Sequence, residues 1–307
     1  MKICVFGGAG FIGSRVVRCL LSSGHEVVTL VRNQQKGAKL AQLGAVVKIG
    51  DLKNREDVRS AITGTDVVIN LAVPYYLGRV NLRRVRAMAV VFMRNVKNVV
   101  EGAQSVGNIP VILSEGTPIW GDSGKGWHDE TSRFNPIDMG RIGELSTPYT
   151  MQMLEKGAPI IRIISGLTYG KGSWFEHVVY KLMKKGWFRT YGDGENIYSL
   201  VYVDDVAEAY RLAVEKKPLG EAFAIVDDCS VKFKDFCNYV AQMMGKPPVK
   251  PMPVWLGRIF SGQVVVEELT MNCRVKNTKA KTQLGWNPKY PTYREGIPAA
   301  LAEIEKS

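Results

Sequence analysis

The sequence predicts an α/β protein built on a doubly wound parallel sheet, with a smaller lobe formed by its C-terminal part. Three observations carry that expectation. Short, nearly continuous apolar runs alternate with helix-like segments through the first half, the pattern of strands buried on both faces by crossover helices. A glycine-rich turn, Gly7-Gly8-Ala9-Gly10-Phe11-Ile12-Gly13, joins the first of these runs to the first helix-like segment. From about residue 172 the rhythm changes to longer helical stretches, and prolines cluster at 247–253.

The elements follow in order. Lys2-Ile3-Cys4-Val5-Phe6 reads as the first strand, and Phe11, Ile12, Val16, Val17, Leu20 and Leu21 give the helix after it an apolar stripe. Val27-Val28-Thr29-Leu30-Val31 is a second buried strand, and a polar segment carrying Leu40 and Leu43 follows it. Ala45-Val46-Val47-Lys48-Ile49 forms a third strand that ends at Gly50-Asp51-Leu52. Asp57, Val58, Ala61 and Ile62 suggest a helix before the fourth strand, Asp66 to Ala72. A long basic helix then carries Val80, Leu82, Val85, Met88, Val91, Phe92, Val96 and Val99 as its apolar positions. Pro110-Val111-Ile112-Leu113-Ser114 and Pro159-Ile160-Ile161-Arg162-Ile163-Ile164 are further strands. Beyond them, helical patterns run over 174–186, 204–216 and 232–245. The expected division is a nucleotide-binding domain over 1–171 and, over 172–307, mainly a substrate lobe with the last sheet strands interleaved.

Composition narrows the class. At 307 residues the chain can bury one large core, or one core plus a small lobe. No apolar run approaches the roughly 20 residues that span a bilayer, and a strand begins at residue 2, so neither a membrane span nor a signal peptide is expected. Five scattered cysteines without CxxC spacing and three histidines argue against a metal site. A reducing cytoplasm is the expected location. The net charge is +12, and its densest basic cluster is Arg79, Arg83, Arg84 and Arg86, followed by Arg94 and Lys97. That cluster reads as a solvated helix face. No aromatic residues interleave with it to stack bases, which disfavours nucleic acid as a partner.

The glycine turn carries the chemistry. Strand, tight turn and helix in that order suit a dinucleotide pyrophosphate. Gly7 allows the turn, Gly10 lets the backbone approach phosphates, and Gly13 lets the helix pack on the strand. Further marks follow in order: Gly50-Asp51-Leu52, Asn70-Leu71-Ala72, Ile119-Trp120-Gly121, Tyr169-Gly170-Lys171-Gly172, Gly192-Asp193-Gly194, Val201 to Val206 and Leu284-Gly285-Trp286-Asn287-Pro288. With these, the chain resembles the extended short-chain dehydrogenase/reductase superfamily in its NAD-dependent epimerase/dehydratase branch, along nearly its whole length. The resemblance implies a Rossmann-type fold and a nicotinamide dinucleotide on Gly7, Gly10, Phe11, Ile12 and Gly13. It places Asp51 with Leu52 at the adenine and Ala72 beside the cofactor. It also raises the expectation of a homodimer through two helices. A turn aspartate is the alternative reading of Asp51.

The second strand ends Leu30-Val31-Arg32-Asn33, with no carboxylate and with Lys36 nearby. An acidic residue there would take the ribose 2′-hydroxyl, whereas an arginine accommodates a 2′-phosphate. NADP is therefore favoured over NAD, although an Arg32 that stacks on adenine would admit either.

The family's usual Tyr-x-x-x-Lys pair is not found where it is expected. Its Gly-Arg context places Met139 at the tyrosine and Gly143 at the lysine, and the Ser/Thr position falls at Gly116. A methionine cannot donate a proton and a glycine supplies no charge. Glu115, at the end of the fifth strand, is the first candidate for a replacement acid. Tyr75 and Tyr169, then Tyr76, Asp138 and His128, are further candidates. In the GDG run, Tyr198 stands where nucleotide-sugar members carry a phosphate-binding arginine, which argues against such substrates. Trp174, Phe175, Trp187, Phe188, Trp255 and Phe260 either cover the substrate or fill the lobe core. Asp204 reads as a helix cap.

The expected function is NADP(H)-dependent oxidation and reduction of a carbonyl or alcohol on a small, fairly apolar molecule, with a non-standard proton donor. Two alternatives stand beside it. One is a catalytically silent NADP(H)-binding sensor, scaffold or RNA-associated protein, and the other an epimerase or isomerase that uses the cofactor transiently.

Overall fold

The computed structural model describes residues 1–74 and 78–306. Seven parallel strands form the central sheet: β1 (Lys2–Phe6), β2 (Glu26–Val31), β3 (Val46–Ile49), β4 (Val67–Asn70), β5 (Val111–Gly116), β6 (Ile160–Ser165) and β10 (Ala222–Ile225). Their spatial order is β10-β6-β5-β4-β1-β2-β3, so the winding reverses between β1 and β4. The register runs Ile3 to Val67 on one side and Ile3 to Val27 on the other.

Helices α1 (Phe11–Ser22), α2 (Gln34–Gln42), α3 (Arg55–Ile62), α4 (Leu82–Ser105) and α5 (Ser146–Glu155) connect the early strands. The side chains of Asn33, Asn54 and Asn81 start α2, α3 and α4 by accepting the N–H of Lys36, Glu56 and Arg84 at 3.0, 2.9 and 2.9 Å. One face of the sheet packs Ile3, Val5, Ile69, Ile112 and Ile163 against α1 and α7 (Val203–Lys216). The other packs Cys4, Phe6, Val68, Leu113 and Ile160 against α3 and α4. Burial on both faces explains why these strands read as continuous apolar runs.

The lobe grows from the far end of the chain. Strands β7 (Leu167–Tyr169), β9 (Ile197–Tyr202) and β11 (Ser230–Lys232) form one small sheet, and β8 (Arg189–Tyr191) pairs with β12 (Lys250–Met252). A π-helical turn (Phe175–Tyr180) runs into α6 (Lys181–Lys184), and α8 (Phe233–Met243), α9 (Val254–Ser261), α10 (Gln263–Glu268) and α11 (Tyr293–Glu305) complete it. The two parts interlock. Strand β10 closes the main sheet from beyond residue 200, and Trp286, fully buried, joins the core shared by α1 and α7.

Candidate functional site

Ligands of doubly wound sheets bind outside the carboxyl ends of the strands where the winding reverses. Here that crevice is walled by the loop after β1 and by Asn70-Leu71-Ala72 after β4. Gly7 leaves β1 with φ +80°, and a Cβ there would lie 2.6 Å from the Leu71 carbonyl carbon. A Cβ on Gly13 would lie 2.0 Å from the Gly7 oxygen, so only glycine lets α1 sit this close to the turn. No side chain caps α1 at Gly10, which leaves the first-turn N–H groups of Phe11, Ile12 and Gly13 to an anion. Across the crevice, Asn70 holds the Ala72 N–H with Oδ1 at 3.2 Å, while its buried Nδ2 has no protein partner. A vacant buried donor beside an uncapped helix terminus fits a dinucleotide.

Arg32 stands exposed directly after β2, with Asn33 engaged as the α2 cap and Lys36 exposed one turn on. Asp51 makes a local turn, its Oδ1 accepting the Lys53 N–H at 3.0 Å while its own N–H donates to Asp57. Leu52 is pinned by Asn98, whose Nδ2 donates to its carbonyl at 2.8 Å.

The proposed acids are placed differently from their sequence expectation. Glu115 does not face the crevice as a free acid. Arg162 grips its Oε2 through Nε at 2.8 Å and Nη2 at 2.5 Å, and Thr147 donates to its Oε1 at 2.8 Å. The pair is nearly sealed, with side chains 5% and 10% exposed. Tyr169 is fully buried against Phe175, Tyr202 and Phe236. Burial, then the carboxylates of Asp227 and Asp205, raise its phenol well above the ordinary value. Tyr75 and Tyr76 lie outside the described residues. His128 packs its ring on Trp120 and sits 3.3 Å from the Gly121 carbonyl.

Asp138 has gathered company that the sequence did not reveal. It opens a 3-10 turn (Asp138–Gly143) at a left-handed φ of +45°, packed on a second such turn (Thr117–Trp120) at the end of β5. The close approach is visible at Gly140, where a Cβ would fall 2.2 Å from the Pro118 oxygen. Glu267 and Glu268, at the end of α10, lie beside Asp138 and Met139. The Oε2 of Glu268 is buried without a partner, as is the hydroxyl of Tyr198. Burial, reinforced by Asp138, pushes the Glu268 carboxyl up to about 8; burial and Glu267 also raise Asp138. Cys273 completes the group, its Sγ 3.3 Å from Thr117 Oγ1. The sequence signal for Glu268 was weak, since Glu267-Glu268 merely end the apolar run Val264-Val265-Val266. Among the described residues no cluster suits a metal ion.

The aromatic residues also divide. Phe175 and Phe188 are core, and Trp174 packs against it with its indole N–H on the Thr168 carbonyl at 2.9 Å. Trp187, Trp255 and Phe260 belong neither to the core nor to a cover, being 68%, 64% and 67% exposed. Asp204 is not a cap. It pairs with Arg15 at 3.3 Å, while buried Asp205 takes the N–H groups of Lys289 and Tyr290 at 2.7 and 3.0 Å.

Comparison with known proteins agrees with this architecture. Residues 3–225 match the model of the NAD dependent epimerase/dehydratase family. The chain is 25% identical over 302 residues to an uncharacterised protein of Schizosaccharomyces pombe, covering 95% of this chain and 96% of that one. It is 25% identical to a Dictyostelium discoideum sterol-4-alpha-carboxylate 3-dehydrogenase, covering 96% and 98%. Its fold matches the crystal structure of a human epimerase family protein solved with NADPH, at a TM-score of 0.82 and 18% identity over 98% and 99% of the two chains.

Proposed function

The chain belongs to the NAD-dependent epimerase/dehydratase family, and from that premise we propose that it is an NADP(H)-dependent oxidoreductase acting on a carbonyl or alcohol of a small, fairly apolar molecule. The observation that carries the cofactor choice is Arg32, exposed at the end of β2 with no carboxylate beside it. In this reading Gly7, Gly10, Phe11, Ile12 and Gly13 hold the pyrophosphate, Arg32 and Lys36 the 2′-phosphate, and Asp51 with Leu52 the adenine. Asn70 and Ala72 line the crevice toward the reacting end.

When bound, the dinucleotide would supply or accept a hydride at the substrate carbon. This chain must then handle a proton at the substrate oxygen. Glu115 is committed to Arg162 and Tyr169 to the core, so neither suits that task. Glu268 suits it better, because burial and Asp138 keep its carboxyl protonated near neutral pH. Loss of a phosphate-binding arginine at position 198 supports a substrate without a diphosphate.

Calorimetry on nucleotide-free protein tests the cofactor half. NADPH is expected to bind more tightly than NADH, and Arg32→Ala to weaken NADPH by about tenfold or more while leaving NADH nearly unchanged. Equal affinity for the two nucleotides would remove the NADP assignment. A silent nucleotide-binding protein is the second reading, favoured by the locked state of Glu115. Steady NADPH oxidation with any carbonyl substrate would exclude it.

A further inference from the structure

Helix α9 is apolar on both of its sides. Its inner face is closed, since Gly257 meets the Tyr191 ring and Val266, where a Cβ would come within 2.6 and 3.3 Å. At 100° per residue, Trp255 and Ile259 fall opposite Gly257, with Leu256 on the flank and Phe260 at the exposed C-terminal end of the helix. Three of these are strongly exposed: Trp255 at 64%, Ile259 at 55% and Phe260 at 67%. A helix apolar all round is ordinarily enclosed, and a contiguous exposed patch of large apolar side chains marks an interaction surface.

What borders the patch identifies its occupant. Helix α9 ends at Gly262, where a Cβ would lie 2.6 Å from the Val80 oxygen and 3.1 Å from Arg79 Cγ. The apolar arc therefore abuts the basic start of α4, where Arg79, Arg83 and Arg86 are exposed and Leu82 is 42% exposed. The one cation within α9, Arg258, is offset by Glu267 at 3.3 Å. The patch thus joins apolar side chains to basic ones, uncompensated among the described residues, over a single continuous surface. An anionic bilayer matches both. Indole, aliphatic and phenyl groups enter the headgroup boundary, and the adjacent guanidinium groups pair with lipid phosphates.

We propose that α9 and the start of α4 form a peripheral docking surface for anionic lipid bilayers. No described helix is long and apolar enough to cross a membrane, so the contact is an interfacial one. Docking there would give the protein access to apolar molecules held in the bilayer.

The test uses the full chain and sedimentation with vesicles, either pure phosphatidylcholine or phosphatidylcholine containing phosphatidylglycerol. Binding is expected to the anionic vesicles only, with a blue shift of tryptophan emission. The variant Trp255→Ser/Ile259→Ser/Phe260→Ser, which alters only exposed side chains, is expected to lose binding by about tenfold or more. Arg79→Glu/Arg83→Glu is expected to lose it by a similar factor and to make the remainder insensitive to salt. Circular dichroism melts confirm that both variants stay folded. Absence of binding to anionic vesicles overturns the proposal, as does binding that the apolar variant leaves unchanged. A wild-type dimer that the apolar variant dissociates would assign the face to a second copy of the chain instead. None of these readouts requires bound dinucleotide or turnover.

Discussion

Glu268 is the residue on which the proposed chemistry turns. Its carboxyl stands above the usual range because water is excluded and Asp138 lies beside it. The native state therefore keeps a proton that the unfolded chain releases, and stability falls as pH rises from the ordinary carboxylate range toward 8. For one such group the slope reaches at most about 1.4 kcal/mol per pH unit. Glu268→Gln is expected to flatten the dependence of melting temperature on pH between 5 and 8 and to raise stability at pH 8. The same change is expected to lower turnover by about 100-fold or more while leaving NADPH affinity intact in calorimetry. Glu115 makes the contrasting case. Glu115→Gln leaves the Arg162 guanidinium buried without its charge partner and is expected to cost about 3–5 kcal/mol, read from urea midpoints. The sequence placed Glu115 correctly at the end of a strand but was silent about Arg162, which meets it only because β5 and β6 pair.

Among the elements, what was legible was what repeats locally. The glycine turn, the alternation of buried strands with helices and the long basic helix all depend on residues within a few positions of each other. The acidic group at Met139 was not legible, because it needs a 3-10 turn, α10 and β9 from three distant stretches. Nor was the division of the aromatic residues, since a tryptophan reads alike whether its helix is enclosed or exposed. Close contacts between elements were equally invisible. Gly296 in α11 is one: a Cβ there would lie 1.9 Å from the Tyr169 hydroxyl. Gly296→Ala is expected to destabilise by about 1–3 kcal/mol, since the fully buried ring cannot retreat. Tyr169→Phe removes the unpartnered hydroxyl and is expected to recover most of that loss in the double variant, with no separate effect on turnover.

The whole molecule is less divisible than its two rhythms suggest. Residues 1–171 lack β10, α7 and Trp286, which together close one edge and one face of the main sheet. That fragment is expected to fail to fold, showing no cooperative transition by circular dichroism. In the intact chain, unfolding followed by tryptophan fluorescence and by far-ultraviolet dichroism is expected to coincide, because the lobe and the sheet share these elements. Separate transitions would mean that each half closes its own core.

The late arrival of β10 also has a consequence during synthesis. Strand β6, with all six residues buried in the finished protein, has its outer edge covered only by β10. On the ribosome that edge waits while roughly 60 further residues are made, on the order of 3–12 s at about 5–20 residues per second. For that interval the nascent chain displays an unpaired apolar strand, the form most prone to pairing with a neighbour. A chaperone that shields extended apolar segments would act in this window, and slowing translation between residues 166 and 221 would widen it.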